Sequence, residues 1–327
     1  MVAVIEAIEC AFGESERPYS EVVNFDDVLK ANNYPNLPGL FGWGNYRKTA
    51  GDIFDLGLAS AARTMADSAI SAKEIDFVYF CSTCFPGDEI EHIKYNAHVI
   101  SELGASNAFP VGITLNNCAS FLSAITMACK MVESGAYNNI LVITADKVYD
   151  ETIRMNNFAL LSDAAASCIV TNRPVAGYRV VSDVFRTSDN PIFTNRGKDD
   201  SPLYLRVFNE IIEKSSVKPN EIKKVFCSNV FKSITLVKEK KLGFSRDQLF
   251  LENIPRYGHC FSADVFINLI EYERQAQVPE GERFMFSVDA PNLRASVLLE
   301  RVGEPGVRSF RCASDVEKDR AQGAPSS

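Results

Sequence analysis

The chain has 327 residues, of which 46% are apolar and 23% are charged, and its formal net charge at pH 7 is −8. This length suffices for one large domain or two medium ones, and the negative charge argues against wholesale binding to nucleic acid or to an anionic membrane. The first residues lack the basic and apolar regions of a signal peptide, and no apolar run reaches about 18 residues, so we expect neither secretion nor membrane insertion.

The nine cysteines are an odd number and are spread over apolar-patterned segments. Without a signal segment, this distribution favours reduced thiols and a cytoplasmic location over a disulfide framework. Cys81 and Cys84 form a lone CxxC pair, with no second pair and no cluster of histidines nearby. We interpret the pair as structural thiols and expect no metal site.

Strand-like and helix-like segments alternate along the first half of the chain. The strand-like segments are largely apolar, as in a parallel sheet that is covered on both faces, and the alternation is typical of an α/β fold. The predicted strands are 2–12, 74–82, 110–117, 139–145 and 164–171, and the predicted helices are 55–71, 91–103 and 118–134.

The pattern then begins again near Pro174. Strands are predicted at 178–186, 284–290 and 296–301, and a helix is predicted at 202–216. The repetition indicates two halves, 1–173 and 174–301, followed by a polar tail at 302–327 that is predicted to be disordered.

Two short stretches of the first half recur in the second half, in the same order. Residues 221–225 (EIKKV) resemble residues 74–78 (EIDFV), and residues 259–262 (HCFS) resemble residues 117–120 (NCAS). The two spacings are similar, which favours a duplication. A duplicated α/β unit would bring two helix N-termini to a common point.

Cys118 lies in the earlier copy of the second stretch. The helix predicted at 118–134 is apolar on nearly all sides, which indicates a buried central helix. The positive end of a helix dipole favours thiolate over thiol, and a thiolate is both a nucleophile and an acyl carrier. Cys118 is therefore a candidate nucleophile. The alternative is a small buried core thiol.

His259 lies in the later copy of that stretch. If the duplication brings the copies together, His259 could take the proton of the Cys118 thiol and then deprotonate an acceptor. The alternative role is packing alone. The other two histidines, His92 and His98, lie in a helix-like stretch outside the repeated elements.

Taken in order, these segments resemble the thiolase-fold condensing enzymes, and most closely β-ketoacyl-acyl-carrier-protein synthase III and its relatives in specialised metabolism. The resemblance implies a thiolase-like five-layered α-β-α-β-α fold with two pseudo-duplicated halves, and a homodimer. The matching stretches are 55–83 (DLGLASAARTMADSAISAKEIDFVYFCST), 107–146 (NAFPVGITLNNCASFLSAITMACKMVESGAYNNILVITAD), 158–170 (FALLSDAAASCIV) and 240–269 (KKLGFSRDQLFLENIPRYGHCFSADVFINL).

The family's catalytic set is altered in this chain. Its nucleophile matches Cys118, its usual histidine falls on Ser228, and its usual asparagine falls on His259. Ser228 could donate a hydrogen bond to a thioester oxygen, but it cannot serve as a base or a cation near neutral pH. The alternative is a filler that replaced a lost catalytic residue. The resemblance also implies an oxyanion hole from the backbone N–H groups of Cys118 and Ala290, since Pro291 has none.

Basic residues crowd part of the second half. Lys223, Lys224, Lys232 and Arg256 are candidates for docking an acidic acyl carrier protein, which brings its thioester on a phosphopantetheine arm. The alternative is an ordinary solvated helix face. The sequence has no glycine-rich phosphate loop, so we expect no bound cofactor, and acyl-CoA or acyl carrier protein enters only as substrate.

The altered set favours acyl transfer over condensation. Condensation must stabilise an enolate, and losing a charge-capable donor there would cost about 3–4 kcal/mol. We therefore predict an acyltransferase of polyketide or other specialised metabolism, in which acyl-Cys118 delivers its acyl group to a nucleophile of a small molecule. The alternatives are decarboxylative Claisen condensation of a malonyl thioester with His259 alone, and a non-catalytic subunit that stabilises an active partner.

Overall fold

The computed structural model describes residues 2–188, 201–290 and 292–303, without the side chains of Glu89 and Ser201. Pro291 and most of the predicted tail, 304–327, lie outside the described residues. Within the described part of the chain, no helix is both long enough and apolar enough to cross a membrane.

Strands and helices alternate through most of the first half. In chain order its elements are β1 Val4–Phe12, β2 Ser15–Pro18, α1 Phe25–Asn32, α2 Pro38–Phe41, β3 Asn45–Lys48, α3 Ile53–Asp67, β4 Phe77–Cys81, α4 Glu89–Leu103, β5 Phe109–Ile113, α5 Ser120–Glu133, β6 Asn139–Asp146 and β7 Ala164–Thr171.

The second half repeats the alternation in a shorter form. In chain order its elements are β8 Gly177–Thr187, α6 Ser201–Ser215, β9 Lys224–Cys227, α7 Lys232–Lys241, β10 Leu249–Phe250, α8 Ile254–Tyr257, α9 Asp264–Gln275, β11 Arg283–Ala290 and β12 Leu293–Val302. The strand predicted to end at 301 thus continues to Val302.

The main sheet is built from two mirrored groups of strands. Its order is β10-β9-β11-β12-β8-β1-β7-β6-β4-β5, so β5-β4-β6-β7-β1 of the first half recurs as β10-β9-β11-β12-β8. β4 pairs with β6, and β9 with β11, in parallel. β1 and β8 join the two groups, with Ile5 opposite Tyr178. The boundary predicted between 173 and 174 falls in the connection from β7 to β8 and stays a prediction.

The two strand groups enclose a pair of central helices. Phe121 of α5 contacts Phe266 of α9, with their ring centroids 4.9 Å apart, and both rings are fully buried. Helices α3 and α4 pack on the outer face of the first group, and α6 and α7 on the outer face of the second. The resulting order of layers is the five-layered α-β-α-β-α fold, as predicted.

Strand β4 shows why its run of apolar residues has no polar face. Phe77, Tyr79 and Cys81 pack toward the central helices, whereas Val78 and Phe80 pack toward α3 and α4. Successive side chains of a strand point to opposite faces, so a strand covered on both sides needs apolar residues at every position.

Helix α3 ends earlier than the periodicity predicts. The predicted helix extends to residue 71, but α3 ends at Asp67. The Ser68 hydroxyl donates to Glu6 Oε1 at 2.6 Å and accepts from Ile70 N at 3.0 Å. These local bonds give the backbone an alternative to another helical turn.

Candidate active site

Two tight turns lead into α5 and α9 and lie against each other. Residues Asn117–Ala119 and Phe261–Ala263 form single 3₁₀ turns. The first residue of each turn has a positive φ, 48° at Asn117 and 52° at Phe261. The Ser262 hydroxyl donates to the Asn117 carbonyl at 3.0 Å, so the N-termini of the two central helices meet.

The sequence comparison aligned these turns two residues out of register. The positive φ values pair Asn117 with Phe261, and the helix starts pair Ser120 with Asp264. Cys118 therefore corresponds to Ser262 and not to Cys260. A Cys two residues before a Ser occurs in both stretches, and this likeness favoured the wrong offset, whereas the backbone torsions fix the equivalence.

The structure brings Cys118 and His259 together. The Cys118 Sγ lies 3.5 Å from His259 Nε2. The His259 main chain is held on both sides, since its N–H donates to Leu160 O at 2.7 Å and its carbonyl accepts from Ser162 N at 2.9 Å. His259 is buried and Cys118 is partly exposed, so solvent and substrate reach the sulfur more readily than the imidazole.

Asp264 completes a line of three side chains. Its Oδ2 is hydrogen-bonded to His259 Nδ1, on the side of the ring away from Cys118. The other carboxylate oxygen, Oδ1, accepts from Cys260 N at 2.6 Å. A nucleophile, a base and a group that orients the base form a recurrent catalytic arrangement. The sequence analysis missed Asp264, although it is an acid within an apolar run, five residues after His259.

The charge balance at His259 favours the imidazolium. Burial by itself would lower the pKa of His259, but the Asp264 carboxylate and then Cys118 outweigh burial and raise that pKa well above its ordinary value. An imidazolium beside a thiol favours the thiolate, which is the nucleophilic form. The arrangement therefore places a ring that favours its protonated form against the Cys118 sulfur.

Two aromatic rings flank the imidazole. The centroid of the Phe261 ring lies 5.5 Å from that of His259, and the Phe158 centroid lies 6.2 Å from it. Phe158 is 40% exposed, so one of the two rings beside His259 also reaches the solvent. Apolar rings next to a charged imidazole lower the local dielectric and so strengthen the electrostatic interactions within the site.

Ser228 makes its hydrogen bonds with β11. It directly follows β9 and is buried, and its hydroxyl accepts from Asp289 N at 3.3 Å. Its own N–H donates to Ser287 O, also at 3.3 Å. Ser228 therefore links the end of β9 to the end of β11, where Ala290 lies.

The two residues of the predicted oxyanion hole share one core. Cys118 and Ala290 are both partly buried and both pack against the hydrophobic cluster around the central helices. Ala290 is the last residue of β11, opposite Leu293 in the hairpin to β12. Their donor role stays a prediction, and Pro291 lies outside the described residues.

The four candidate docking residues are spread over the second half. Lys223 and Lys224 lie at the start of β9, the opposite end of that strand from Ser228. The Lys223 Nζ lies 3.9 Å from Glu282, and the Lys224 Nζ donates to Asp247 O at 2.5 Å. Lys232 begins α7, only a few residues beyond Ser228.

Arg256, in α8, is paired with an acid of α9. Its Nη1 lies 2.8 Å from Glu271 Oε2, and its side chain is half exposed. Lys232 is thus the candidate that begins a helix on the Ser228 side of β9, whereas Arg256 is already engaged. The carrier-docking role of all four residues stays a prediction.

The cysteines other than Cys118 have no partner sulfur within the described residues, where every cysteine is a free thiol. Cys81 is buried at the end of β4 and Cys84 is exposed. Across the same residues, no group of three histidine, cysteine or acidic side chains is arranged to hold a metal ion.

Two family models match the chain around this site. The model of 3-oxoacyl-[acyl-carrier-protein] synthase III matches residues 114–188, and the model of its C-terminal domain matches residues 212–294. A curated relative, β-ketoacyl-[acyl-carrier-protein] synthase III from Streptococcus equi subsp. zooepidemicus, is 28% identical over 255 residues, which cover 68% of this chain and 76% of the relative.

Solved structures share the whole architecture. The acyltransferase ChlB3 has a TM-score of 0.78 at 14% identity, over 93% of this chain and 99% of ChlB3. The 3-oxoacyl-[acyl-carrier-protein] synthase III of Aquifex aeolicus has a TM-score of 0.74 at 18% identity, over 91% of this chain and 99% of that enzyme. Identities this low support the fold alone. The fold is thus that of the thiolase-like enzymes, and together with the family models it supports a protein that is similar to β-ketoacyl-acyl-carrier-protein synthase III.

Proposed function

We propose that this protein is a thioester-dependent acyltransferase with Cys118 as nucleophile, His259 as acid and base, and Asp264 as the residue that orients His259. The observation that carries the proposal is the line of contacts from the Cys118 sulfur through the His259 ring to the Asp264 carboxylate. The donor is a carrier-protein or CoA thioester, and the acceptor is a small molecule of polyketide or other specialised metabolism.

The first step loads the enzyme. The Cys118 thiolate attacks the donor carbonyl, and the backbone N–H groups of Cys118 and Ala290 stabilise the oxyanion. The bond from the carbonyl carbon to the donor sulfur then breaks, and the leaving thiolate takes the proton of the His259 imidazolium. The products are acyl-Cys118, a neutral His259 and the free carrier thiol.

Loading prepares His259 for the second step. Acylation removes the Cys118 charge, which is one of the influences that raise the pKa of His259, while burial continues to lower it. A larger fraction of His259 is therefore neutral, and able to accept a proton, in the acyl-enzyme than in the free enzyme. It takes the proton of an acceptor hydroxyl or amine, which attacks the acyl carbon and releases the Cys118 thiolate.

The position of Ser228 supports transfer over condensation. The hydroxyl lies at the position where the family resemblance implies a histidine, and it accepts a hydrogen bond from Asp289 N. A hydroxyl carries no positive charge that could stabilise an enolate. Condensation remains the second candidate because the curated relatives that match this chain are β-ketoacyl synthases.

The test is to incubate the protein with a panel of acyl-CoA and acyl-carrier thioesters and to measure its intact mass. Transfer predicts an adduct on Cys118 that an added alcohol or amine removes, with no release of carbon dioxide from malonyl thioester. Release of carbon dioxide would instead establish condensation. The absence of an adduct with every donor would support the role of a non-catalytic subunit.

Two cysteine variants control this test. Cys118→Ala should abolish the adduct, whereas Cys84→Ala, which removes an exposed thiol, should leave it unchanged. His259→Ala should slow loading and abolish delivery to the acceptor, because no base then takes the acceptor proton. Unchanged delivery by His259→Ala would remove the role that we give to this residue.

Carrier docking is tested by charge reversal. If an acidic carrier approaches from the Ser228 side of β9, Lys232→Glu should raise the KM for the carrier substrate about 10-fold, and the effect should fade at high salt. Lys223→Glu reverses the same charge at the opposite end of β9 and is the matched control. Equal effects of both substitutions would argue against a docking surface at Lys232.

A further inference from the structure

Three buried asparagines lie behind the Cys118, His259 and Asp264 side chains. Asn229 follows Ser228, Asn253 precedes α8, and Asn268 lies on α9, and each is at most 2% exposed. Asn268 is four residues beyond Asp264, so the two side chains lie on the same face of the helix.

Asn268 ties α9 to the segment that follows β9. Its Nδ2 donates to Cys227 O at 3.0 Å and to Asn229 Oδ1 at 2.9 Å. Its Oδ1 accepts from Asn253 Nδ2 at 2.9 Å. The two donations of Asn268 therefore hold residues 227–229 at a fixed distance from α9.

This link places a donor on the Asp264 carboxylate. The Asn229 N–H donates at 2.6 Å to Asp264 Oδ2, the same oxygen that binds His259 Nδ1. The other oxygen accepts from Cys260 N. Backbone donors from two segments thus fix both oxygens, and with them the direction in which the carboxylate faces His259.

Stability does not account for this cluster. The Asn229 Nδ2 and Asn253 Oδ1 atoms are buried without a hydrogen-bond partner among the described residues. Each such atom costs about 1–3 kcal/mol, and a partly satisfied buried network is less favourable than apolar packing. Apolar residues at all three positions would fill a similar volume without these costs, so a role in the neighbouring site is the better explanation.

We propose that Asn268 is a positioning residue for the Cys118 and His259 pair. It holds the Asn229 N–H on Asp264, and Asp264 in turn holds the His259 ring toward the Cys118 sulfur. The proposal concerns the site to which we assign acyl transfer and deepens that assignment. Its test measures the reactivity of Cys118 directly, so it does not depend on any acyl donor.

The contacts from Asn268 through Asn229 to Asp264 determine the pH up to which His259 stays protonated. Within the described residues, the titratable groups that face the His259 ring are Asp264, from α9, and Cys118, from the turn before α5. The rings of Phe158 and Phe261 carry no charge. If Asp264 turns away, burial dominates, and the imidazolium that favours the Cys118 thiolate is lost at lower pH.

The experiment compares Asn268→Leu with the native protein by the rate at which iodoacetamide alkylates Cys118, followed by peptide mass. We expect Asn268→Leu to be alkylated about 5-fold more slowly near neutral pH, because less imidazolium is present to favour the thiolate. In strongly alkaline solution the two rates should be equal, because the thiolate then forms without the imidazolium. A simple loss of packing would not produce this dependence on pH.

Asn253→Leu is the matched control. It removes a buried amide from the same cluster but leaves both Asn268 donations in place, so its profile should match that of the native protein. If Asn268→Leu does not fold, Asn229→Ala removes the oxygen that Asn268 binds and should give the same change. Where both single variants fold, the double variant should show no further change beyond that of Asn268→Leu, because Asn268→Leu already breaks the contact with Asn229.

A native-like profile for Asn268→Leu, or for Asn229→Ala if it is used instead, would overturn the proposal. An equal change in Asn253→Leu would also overturn it. If the profile changes as expected but no thioester loads Cys118, the acyltransferase assignment fails while the positioning role of Asn268 stands.

Discussion

At the scale of single residues, the chemistry of this site depends on which position of the sequence supplies the imidazole. His259, at the position where the family resemblance implies an asparagine, brings a titratable ring to within 3.5 Å of the Cys118 sulfur. Ser228, at the position where the resemblance implies a histidine, hydrogen-bonds with β11. One base beside the thiol suits acyl transfer, which forms no enolate.

Asp264→Asn tests the third member of this line. The amide keeps the size of the side chain but removes its charge, so burial lowers the pKa of His259 and the ring loses its oriented partner. We expect acyl delivery to fall by about 10²–10³-fold, with the acid limb of its pH profile moved to lower pH, because His259 acts as a base in delivery. The measurement is the transfer rate against pH. Asp150→Asn, on an exposed turn, is the control and should leave the profile unchanged.

A buried ionic cluster supports the hairpin that carries Ala290. Asp289 Oδ1 accepts from Arg294 Nη1 at 2.6 Å, and its other oxygen is paired with Lys238 of α7. Arg294 also donates to Glu239 at 2.8 Å, and both of these side chains are buried. Burial would raise the pKa of Asp289, but Arg294 and then Lys238 outweigh it and lower that pKa to about 2.

Asp289→Asn should therefore destabilise the protein in a pH-dependent way. Because the pKa of Asp289 is lower in the folded than in the unfolded protein, its contribution is fully present above about pH 4 and is lost as the pH falls toward about 2. At neutral pH the free energy of unfolding should decrease by about 2 kcal/mol.

Urea denaturation at several pH values measures this difference. Asp183→Asn is the control, since among the described residues the Asp183 carboxylate pairs with Lys130 at 4.0 Å near the surface, a contact worth at most about 1 kcal/mol. A difference for Asp289→Asn that stays constant down to acid pH would show that the ionic cluster is not its source.

At the scale of elements, the approach to His259 depends on one glycine. Gly258 adopts φ 66° and ψ −155°, a combination that is essentially restricted to glycine. A Cβ at this position would lie 2.4 Å from Leu160 O, the atom that accepts the His259 N–H. The turn between α8 and α9 therefore requires glycine at 258 for two reasons, its backbone torsion angles and its close approach to Leu160 O.

Gly258→Ala should lower the free energy of unfolding by more than about 2 kcal/mol and should displace His259 from Cys118. Gly243→Ala separates the two causes, because Gly243 also has a positive φ of 91° but has no atom within 4 Å of an added Cβ. That control should cost only about 1 kcal/mol. Equal losses in urea denaturation would mean that contact with Leu160 contributes nothing.

At the scale of the whole molecule, the first strand group ends in an edge suited to association. β5 is the last strand of the sheet, and its first residue, Phe109, is 64% exposed. Leu115, just beyond β5, is 88% exposed, and Ile90 and Ile93 of α4 are also exposed. A strand with one open edge beside exposed apolar side chains is a site for pairing with another chain.

We expect a homodimer that uses this edge, as the family resemblance implies. Phe109→Asp should weaken dimerisation at least about 10-fold, because a carboxylate would be buried at the interface. Val23→Asp places the same charge at another exposed apolar residue and should leave the dimer intact. Sedimentation velocity measures the mass of the particle in solution and so distinguishes monomer from dimer. A native chain that stays monomeric, or equal effects of both variants, would contradict the edge interface.

The sequence by itself determined the α/β class, the duplication and two side chains of the site. Apolar strands alternating with helices indicate layers that are covered on both sides, and that periodicity is a local property of the chain. Cys118 and His259 stand out because each lies in a repeated stretch at a helix start. The local pattern and the family resemblance suffice to predict these features because both depend on residues that are neighbours in the sequence.

Only the tertiary structure decided the register of the duplicated turns and the partners of His259. In the sequence, Asp264 is an isolated acid in an apolar run. Its role follows from the hydrogen bond between its Oδ2 and the His259 imidazole, which only the fold brings about. Asn229 and Asn268 lie far apart in sequence, and their link to Asp264 depends on how β9 packs against α9. Hydrogen bonds depend on distances of tenths of an ångström between remote segments, which residue patterns do not encode.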